Sequence, residues 1–167
     1  MAARMVLIGA PGSGKSTVGP LLASRWAVPA VDTDAEIEGL AGMPVSEIFT
    51  VKGESEFRVL EEQVCLAAFA DDAVVSVGGG AVMNQRIQAA LGDIPTVWLQ
   101  ATVADIAERI KLDVPRPLLM GDTRKQLNEL LNARTPVYEA LADLTVVTSG
   151  KTPSEIADEI QVWRDAR

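Results

Sequence analysis

Gly9-Ala10-Pro11-Gly12-Ser13-Gly14-Lys15-Ser16-Thr17 is the stretch that decides the fold of this chain. It reads G-x-x-x-x-G-K-S, the phosphate-loop (P-loop) pattern. The apolar run Met5-Val6-Leu7-Ile8 precedes it and suits a buried parallel strand. Val18, Leu21, Leu22 and Trp26 follow at helical spacing, which predicts a helix from Thr17 to Trp26. Strand, glycine loop and helix together give the motif a physical meaning. Gly12 and Gly14 let the backbone wrap an anion without Cβ clashes. The N–H groups of the loop, Ser13 and Thr17 included, and the helix N-terminus then face a phosphate. Lys15 is placed to reach β- and γ-phosphates, and the Ser16 hydroxyl to ligate Mg²⁺.

Composition narrows the chemistry. The chain has 167 residues, which fits one domain spanning 1–167, and 48% of them are hydrophobic, as in a globular protein. It contains no His, so imidazole acid–base work, Ser-His-Asp catalysis and His-based zinc sites are excluded. Cys65 is alone, which excludes disulfides, and its apolar neighbours predict a buried thiol. General bases are left to carboxylates or Lys, and metals to hard cations on oxygen. The net charge of −8 argues against a nucleic-acid partner. No apolar stretch is long enough to span a bilayer, and Met1 to Met5 lacks the build of a signal peptide. A cytoplasmic monomer with no membrane partner is expected.

Along the chain, strands alternate with helices. A second strand over Pro29 to Asp34 ends in the carboxylates Asp32 and Asp34. Glu54 to Ala70 reads as an amphipathic helix with Phe57, Leu60, Val64 and Ala67 inward and Glu61 and Glu62 among its charges. Ala73 to Val77 is a strand cut off by Gly78-Gly79-Gly80, and further strands are expected at Thr96–Leu99 and Leu144–Val147. Thr102 and Ser154 are the expected caps of the helices that follow them, and a kink or loosened turn is expected at Pro20. The pattern predicts an α/β fold of three layers: a five-stranded parallel sheet flanked by helices, with ligands at the C-terminal strand ends. A Pro/Gly-rich segment at about 112–122, carrying Arg116, suits a mobile lid that excludes water from phosphoryl transfer.

The type of P-loop protein follows by exclusion. No Asn-Lys-x-Asp guanine-reading motif occurs, and no Asp closes the apolar strand at 73–77. The acidic pair after the second strand points instead to small-molecule or nucleotide kinases. Asp32-Thr33-Asp34, Phe57-Arg58 with Glu61, Gly78-Gly79-Gly80-Ala81, Arg116-Pro117-Leu118-Leu119 and Arg134-x-Pro136-x-Tyr138 occur in that order. With the P-loop, they make essentially the whole chain resemble the shikimate kinases. The resemblance implies phosphorylation of the 3-hydroxyl of shikimate with ATP as co-substrate, on the way to aromatic amino acids.

Each residue has a physical role on that reading. Asp34 orients a substrate hydroxyl and accepts its proton, and Asp32 holds Mg²⁺ through water. Arg58 and Arg134 clamp a carboxylate with forked hydrogen bonds. Glu61 orients Arg58 from one helical turn away. Gly79 and Gly80 offer bare backbone N–H groups to the substrate, or form a tight packing turn, or both. Phe49 and Phe57 pack either the substrate ring, as the family suggests, or the core. The substrate-binding region then spans about 34–61. Arg116 reaches the transferring phosphoryl group. Arg109 and Lys151-Thr152-Pro153 resemble the family's adenine-contacting elements. Two other readings stay open: a gluconate- or nucleotide-type kinase, and a non-catalytic ATP-binding module.

Overall fold

The computed structural model describes residues 2–112 and 123–167. Arg116 and the expected lid therefore lie outside the described residues. Five strands form one parallel sheet: β1 (Met5–Ile8), β2 (Ala30–Asp32), β3 (Val74–Ser76), β4 (Thr96–Gln100) and β5 (Leu144–Val147). Their order is β2-β3-β1-β4-β5. The central strand β1 pairs Leu7 with Ser76 of β3 on one side and with Val97 of β4 on the other. The chain leaves β1 where the order reverses direction, so a crevice opens above its C-terminal end.

Both faces of β1 are buried, which explains its unbroken apolar run. Val6 and Ile8 face a cluster with Cys65, Ala68, Ile87 and Tyr138. These come from α4 (Glu54–Phe69), α5 (Gln85–Leu91) and α7 (Thr123–Leu141). Met5 and Leu7 face the opposite layer, packing with Val18, Leu22, Ile156 and Ile160. That layer is α1 (Lys15–Arg25) and α8 (Pro153–Asp165). Helix α6 (Val103–Leu112) packs Ile106 and Ala107 with Leu127 of α7 under the P-loop residue Ala10. Helices α2 (Thr33–Ala41) and α3 (Val45–Val51) close a satellite cluster of Ile37, Ile48, Phe57 and Val64 against α4. Among the described residues, no helix is long and apolar enough to cross a membrane.

Several local expectations change. The second strand stops at Asp32, whose carboxylate accepts from the Asp34 and Ala35 amides at 3.0 and 3.3 Å. Asp32 is thus the N-cap of α2, and Asp34 sits in the first helical turn rather than on a strand. In α4 the inward face is displaced: Ala67 is exposed, whereas Glu61 is only 2% exposed. Helix α1 is continuous through Pro20, which is itself exposed, as is Ser16, whose carbonyl a residue-20 amide would have engaged. Helix α7 likewise runs on through Pro136.

The cap of α8 is Thr152 and not Ser154. The Thr152 hydroxyl accepts from the Glu155 amide at 3.2 Å, and the Glu155 carboxylate accepts from the Thr152 amide at 2.7 Å. This is a capping box with Pro153 at the first helical position. Ser154 makes a 3.4 Å contact with Arg25 at the surface. Thr152→Ala should therefore lower stability by about 1 kcal/mol in denaturant unfolding. Ser154→Ala should stay within about 0.5 kcal/mol; equal losses would mean the box does not hold the helix end.

Candidate active site

The P-loop is shaped by close approach and by left-handed backbone. Gly9 has φ 148°, and a Cβ there would come within 2.7 Å of the Leu99 carbonyl of β4. Gly14 adopts φ 103° as the N-cap of α1. The first amides of a helix have no intrahelical acceptor, and those of α1 open onto a cavity of about 490 Å³. Pro11, Gly12, Gly14, Lys15, Ser16, Thr17 and Arg109 line one side, and Asp32, Asp34 and Ser76 to Gly79 line the other. Ser13 is buried with its hydroxyl 3.4 Å from the Lys15 ammonium. Its amide donates to the Ala10 carbonyl at 3.1 Å, as the Thr17 amide does to the Gly14 carbonyl at 3.1 Å, so neither amide is turned to a phosphate as expected.

Lys15 is folded back on its own loop. Its ammonium donates to the carbonyls of Gly9 at 2.6 Å and Ala10 at 2.9 Å. Burial lowers its pKa from 10.5 to about 8, against the opposing pull of Asp34 and Asp32. The Ser76 hydroxyl donates to the Lys15 carbonyl at 3.2 Å and ties the loop to β3. Opposite, the Ser16 hydroxyl donates to Asp32 at 3.0 Å. Hydroxyl and carboxylate form a pair of hard oxygen donors beside the phosphate loop, the donor type that Mg²⁺ takes. Arg109 crosses from α6 and donates to the Gly12 carbonyl at 2.7 Å.

The far side of the site is built on Gly78-Gly79-Gly80, and each glycine leaves room for a different neighbour. A Cβ on Gly78 would lie 2.7 Å from an Asp34 carboxylate oxygen. One on Gly79 would lie 2.6 Å from Pro11 Cδ and 3.1 Å from an Arg134 nitrogen. One on Gly80 would lie 2.9 Å from nitrogens of both Arg134 and Arg58. Two guanidiniums from helices far apart in sequence therefore meet over a bare α-carbon, close enough for one carboxylate to face both. Arg58 is held there by Glu61, which accepts from it at 2.7 Å. Burial raises the Glu61 pKa, and the Arg58 hydrogen bond and charge offset part of that rise.

Other candidates take supporting places. Phe57 is core and stacks on Phe49 with centroids 4.5 Å apart. The Arg58 guanidinium lies 5.3 Å from the Phe57 ring centre and 5.9 Å from that of Phe49. Neither ring lines the cavity. Lys151 pairs with Glu159 at 2.8 Å, and neither it nor Pro153 lines the cavity. Cys65 is buried, its thiol pushed up to about 12 by burial, and is inert.

Three contributors had no role in the sequence reading, although Thr33 and Tyr138 stand in its motifs. The Thr33 hydroxyl accepts from the Gly78 amide at 3.3 Å. Ser76 was visible as the polar residue in an apolar strand. Tyr138, four residues after Arg134, donates to the Gly79 carbonyl at 2.6 Å.

The state of Lys15 yields a pH prediction. At pH 9 the free loop holds it largely neutral, whereas a neighbouring polyphosphate favours its charged form. Nucleotide binding should then take up about one proton, and affinity should fall as pH rises above about 8. Titration calorimetry in buffers of different ionisation enthalpy measures this. Lys15→Met should abolish the uptake, and an uptake that persists in that variant would assign the proton elsewhere.

Comparison with known proteins bears on the chain as a whole. The chain matches the family model "Shikimate kinase" over residues 11–163. It is 50% identical over 156 residues to a shikimate kinase of Thermobifida fusca (strain YX), spanning 93% of this chain and 91% of that one. A shikimate kinase of Salinispora arenicola (strain CNS-205) is 44% identical over 161 residues, 96% of each chain. The structure of shikimate kinase from Acinetobacter baumannii in complex with shikimate is similar with a TM-score of 0.92. That similarity is at 30% identity and covers 99% of this chain and 94% of that one. A sheet ending in a phosphate loop, two arginines over a triple glycine and relatives of matching length agree: the chain belongs to the shikimate kinase family.

Proposed function

We infer that this chain transfers the γ-phosphoryl group of ATP to the 3-hydroxyl of shikimate, giving shikimate 3-phosphate and ADP. The observation that carries this reading is the meeting of Arg58 and Arg134 over Gly80, just beyond the cavity lined by Asp34 and the P-loop, with Arg134 close enough to Lys15 to act on its charge. A carboxylate acid with hydroxyls on a ring suits such a site. A nucleotide acceptor would need a second base pocket as well. A non-catalytic ATP module would have no use for an arginine pair on the acceptor side.

The residues divide the work. The amides of the loop and α1 and the Lys15 ammonium hold the β- and γ-phosphates. The arginine fork takes the shikimate carboxylate and so fixes the far end of the ring. Asp34 accepts a hydrogen bond from the 3-hydroxyl and aims its oxygen at the γ-phosphorus. As the new O–P bond forms, the bond from phosphorus to the β,γ-bridging oxygen breaks and ADP leaves. The hydroxyl proton passes to Asp34. Ser16 and Asp32 are the residues that would hold Mg²⁺, which when bound neutralises charge on the phosphates. Arg109 covers the nucleotide side of the loop. The reaction belongs in the cytoplasm, where ATP is supplied and the free thiol of Cys65 stays reduced.

The first test is ATP turnover that depends on shikimate, with gluconate and nucleoside monophosphates as competing acceptors. Asp34→Asn should keep ATP affinity and lose most turnover; lost ATP affinity with normal turnover at saturation would make Asp34 a metal-site residue. Arg58→Ala and Arg134→Ala should each weaken shikimate binding on the order of ten- to a hundredfold. In a double-mutant cycle against an analogue lacking the carboxylate, each loss should largely vanish. Strictly additive losses would mean that neither arginine touches the carboxylate.

A further inference from the structure

Helix α7 holds the glycine loop at two points. Arg134 lies over the α-carbons of Gly79 and Gly80, where added Cβ atoms would come within 3.1 and 2.9 Å of its nitrogens. Four residues on, and so on the same helix face, the Tyr138 hydroxyl donates to the Gly79 carbonyl at 2.6 Å. The phenol is 1% exposed and so out of reach of any substrate. Its ring stacks on Trp98 of β4, with centroids 5.6 Å apart. The Arg134 guanidinium is close enough to the phenol to counter the upward push that burial gives its pKa. Sheet, ring, hydroxyl and loop thus form one packed path that ends beside the arginine.

The bond that Tyr138 engages belongs to the Gly79–Gly80 peptide. No cis peptide occurs among the described residues. In a planar trans peptide the C=O and N–H point to opposite sides. Fixing the Gly79 carbonyl therefore also fixes the direction of the Gly80 N–H. It fixes the register of α7 against the loop too, and with it the point at which Arg134 meets Arg58.

We propose that Tyr138 is a positioning residue for the acceptor, setting the plane of the Gly79–Gly80 peptide and the placement of Arg134 over it. This rests on the assignment of shikimate to that side of the site. Gly79 has no side chain to lock its peptide, and Arg134 is a long chain with many rotamers. A buried hydroxyl that touches both removes freedom from each without entering the site.

Tyr138→Phe keeps the ring and its stacking and deletes only the hydroxyl. Its dissociation constant for shikimate should rise on the order of tenfold, and that for ATP should move less than about twofold. Turnover at saturating shikimate should largely persist. Combined with Arg134→Ala, it should add little, because both act on one contact. Trp98→Phe is the packing control: it loosens the stack and keeps the hydroxyl, so it should lower the melting temperature and spare shikimate affinity. Tyr138 is the one tyrosine of the chain, so fluorotyrosine labels it alone in a fully folded protein. Its ¹⁹F resonance should shift with shikimate, and the shift should shrink in Arg134→Ala. Wild-type shikimate affinity in Tyr138→Phe, equal loss for both substrates, additivity with Arg134→Ala, an equal shikimate loss in Trp98→Phe or a silent ¹⁹F resonance would each overturn the proposal. Shikimate calorimetry on the wild type comes first. No binding there would sink the substrate assignment, whereas normal binding with an unaffected Tyr138→Phe sinks only this inference.

Discussion

Three consecutive residues without side chains set the dimensions of this site. Asp34, Pro11 and the two arginines each occupy space that a Cβ on Gly78, Gly79 or Gly80 would claim. The contacts are unequal in consequence. The obstacle at Gly80 is the flexible end of two arginines, which can move aside. The obstacle at Gly79 is the Pro11 ring, fixed to the P-loop backbone. The glycine loop and the phosphate loop thus approach so closely that a single added carbon on Gly79 would collide with Pro11. The sheet enforces this, since β1 and β3 are adjacent strands and both loops leave their C-terminal ends.

The charge arrangement follows from the same crowding. A chain of net charge −8 lines one cavity with Lys15 and Arg109 and sets Arg134 and Arg58 beyond its glycine edge, Arg134 near enough to act on Lys15. Focusing cations in this way reverses the local field without changing the overall one. Glu61 looks like a contradiction, a carboxylate buried among groups meant for anions. Its partner resolves it: Arg58 is pinned by Glu61 on one side and by two aromatic rings on another. A pair with one member buried and the other half-buried contributes little net stability, because desolvation of the carboxylate offsets the Coulomb attraction. Its value is a guanidinium whose orientation is settled before a ligand arrives.

Much of this was legible in the sequence, and the reasons are local. The P-loop announces strand, turn and helix together, and the run 5–8 shows both buried faces of β1 by having no polar positions. The acidic pair, the arginines and the glycines could be named because they stand in short motifs that follow the P-loop in a fixed order. Boundaries and faces were harder. Asp32 as a cap was hidden because a carboxylate after a strand reads equally well as a ligand; here it accepts from the Asp34 and Ala35 amides and from the Ser16 hydroxyl. The capping box at Thr152 was written plainly as Thr-x-x-Glu, but the adjacent Ser154 offers the same hydroxyl. Glu61 was legible as the partner of Arg58 one helical turn away, but its burial was not, since that depends on elements packed over α4 from elsewhere in the chain. No pattern in one chain announces that the Tyr138 hydroxyl finds the Gly79 carbonyl, since that contact spans 59 residues.

The resting position of Lys15 has one more implication. Its ammonium already has two carbonyl partners, from Gly9 and Ala10, so an incoming anion exchanges for them and does not simply fill a void. The loop behaves as an internal competitor, present at a fixed effective concentration. An anion offering a single acceptor gains little from that exchange. A polyphosphate can engage the helix amides and Lys15 at once, and is favoured over the single phosphate ions around it by that threshold.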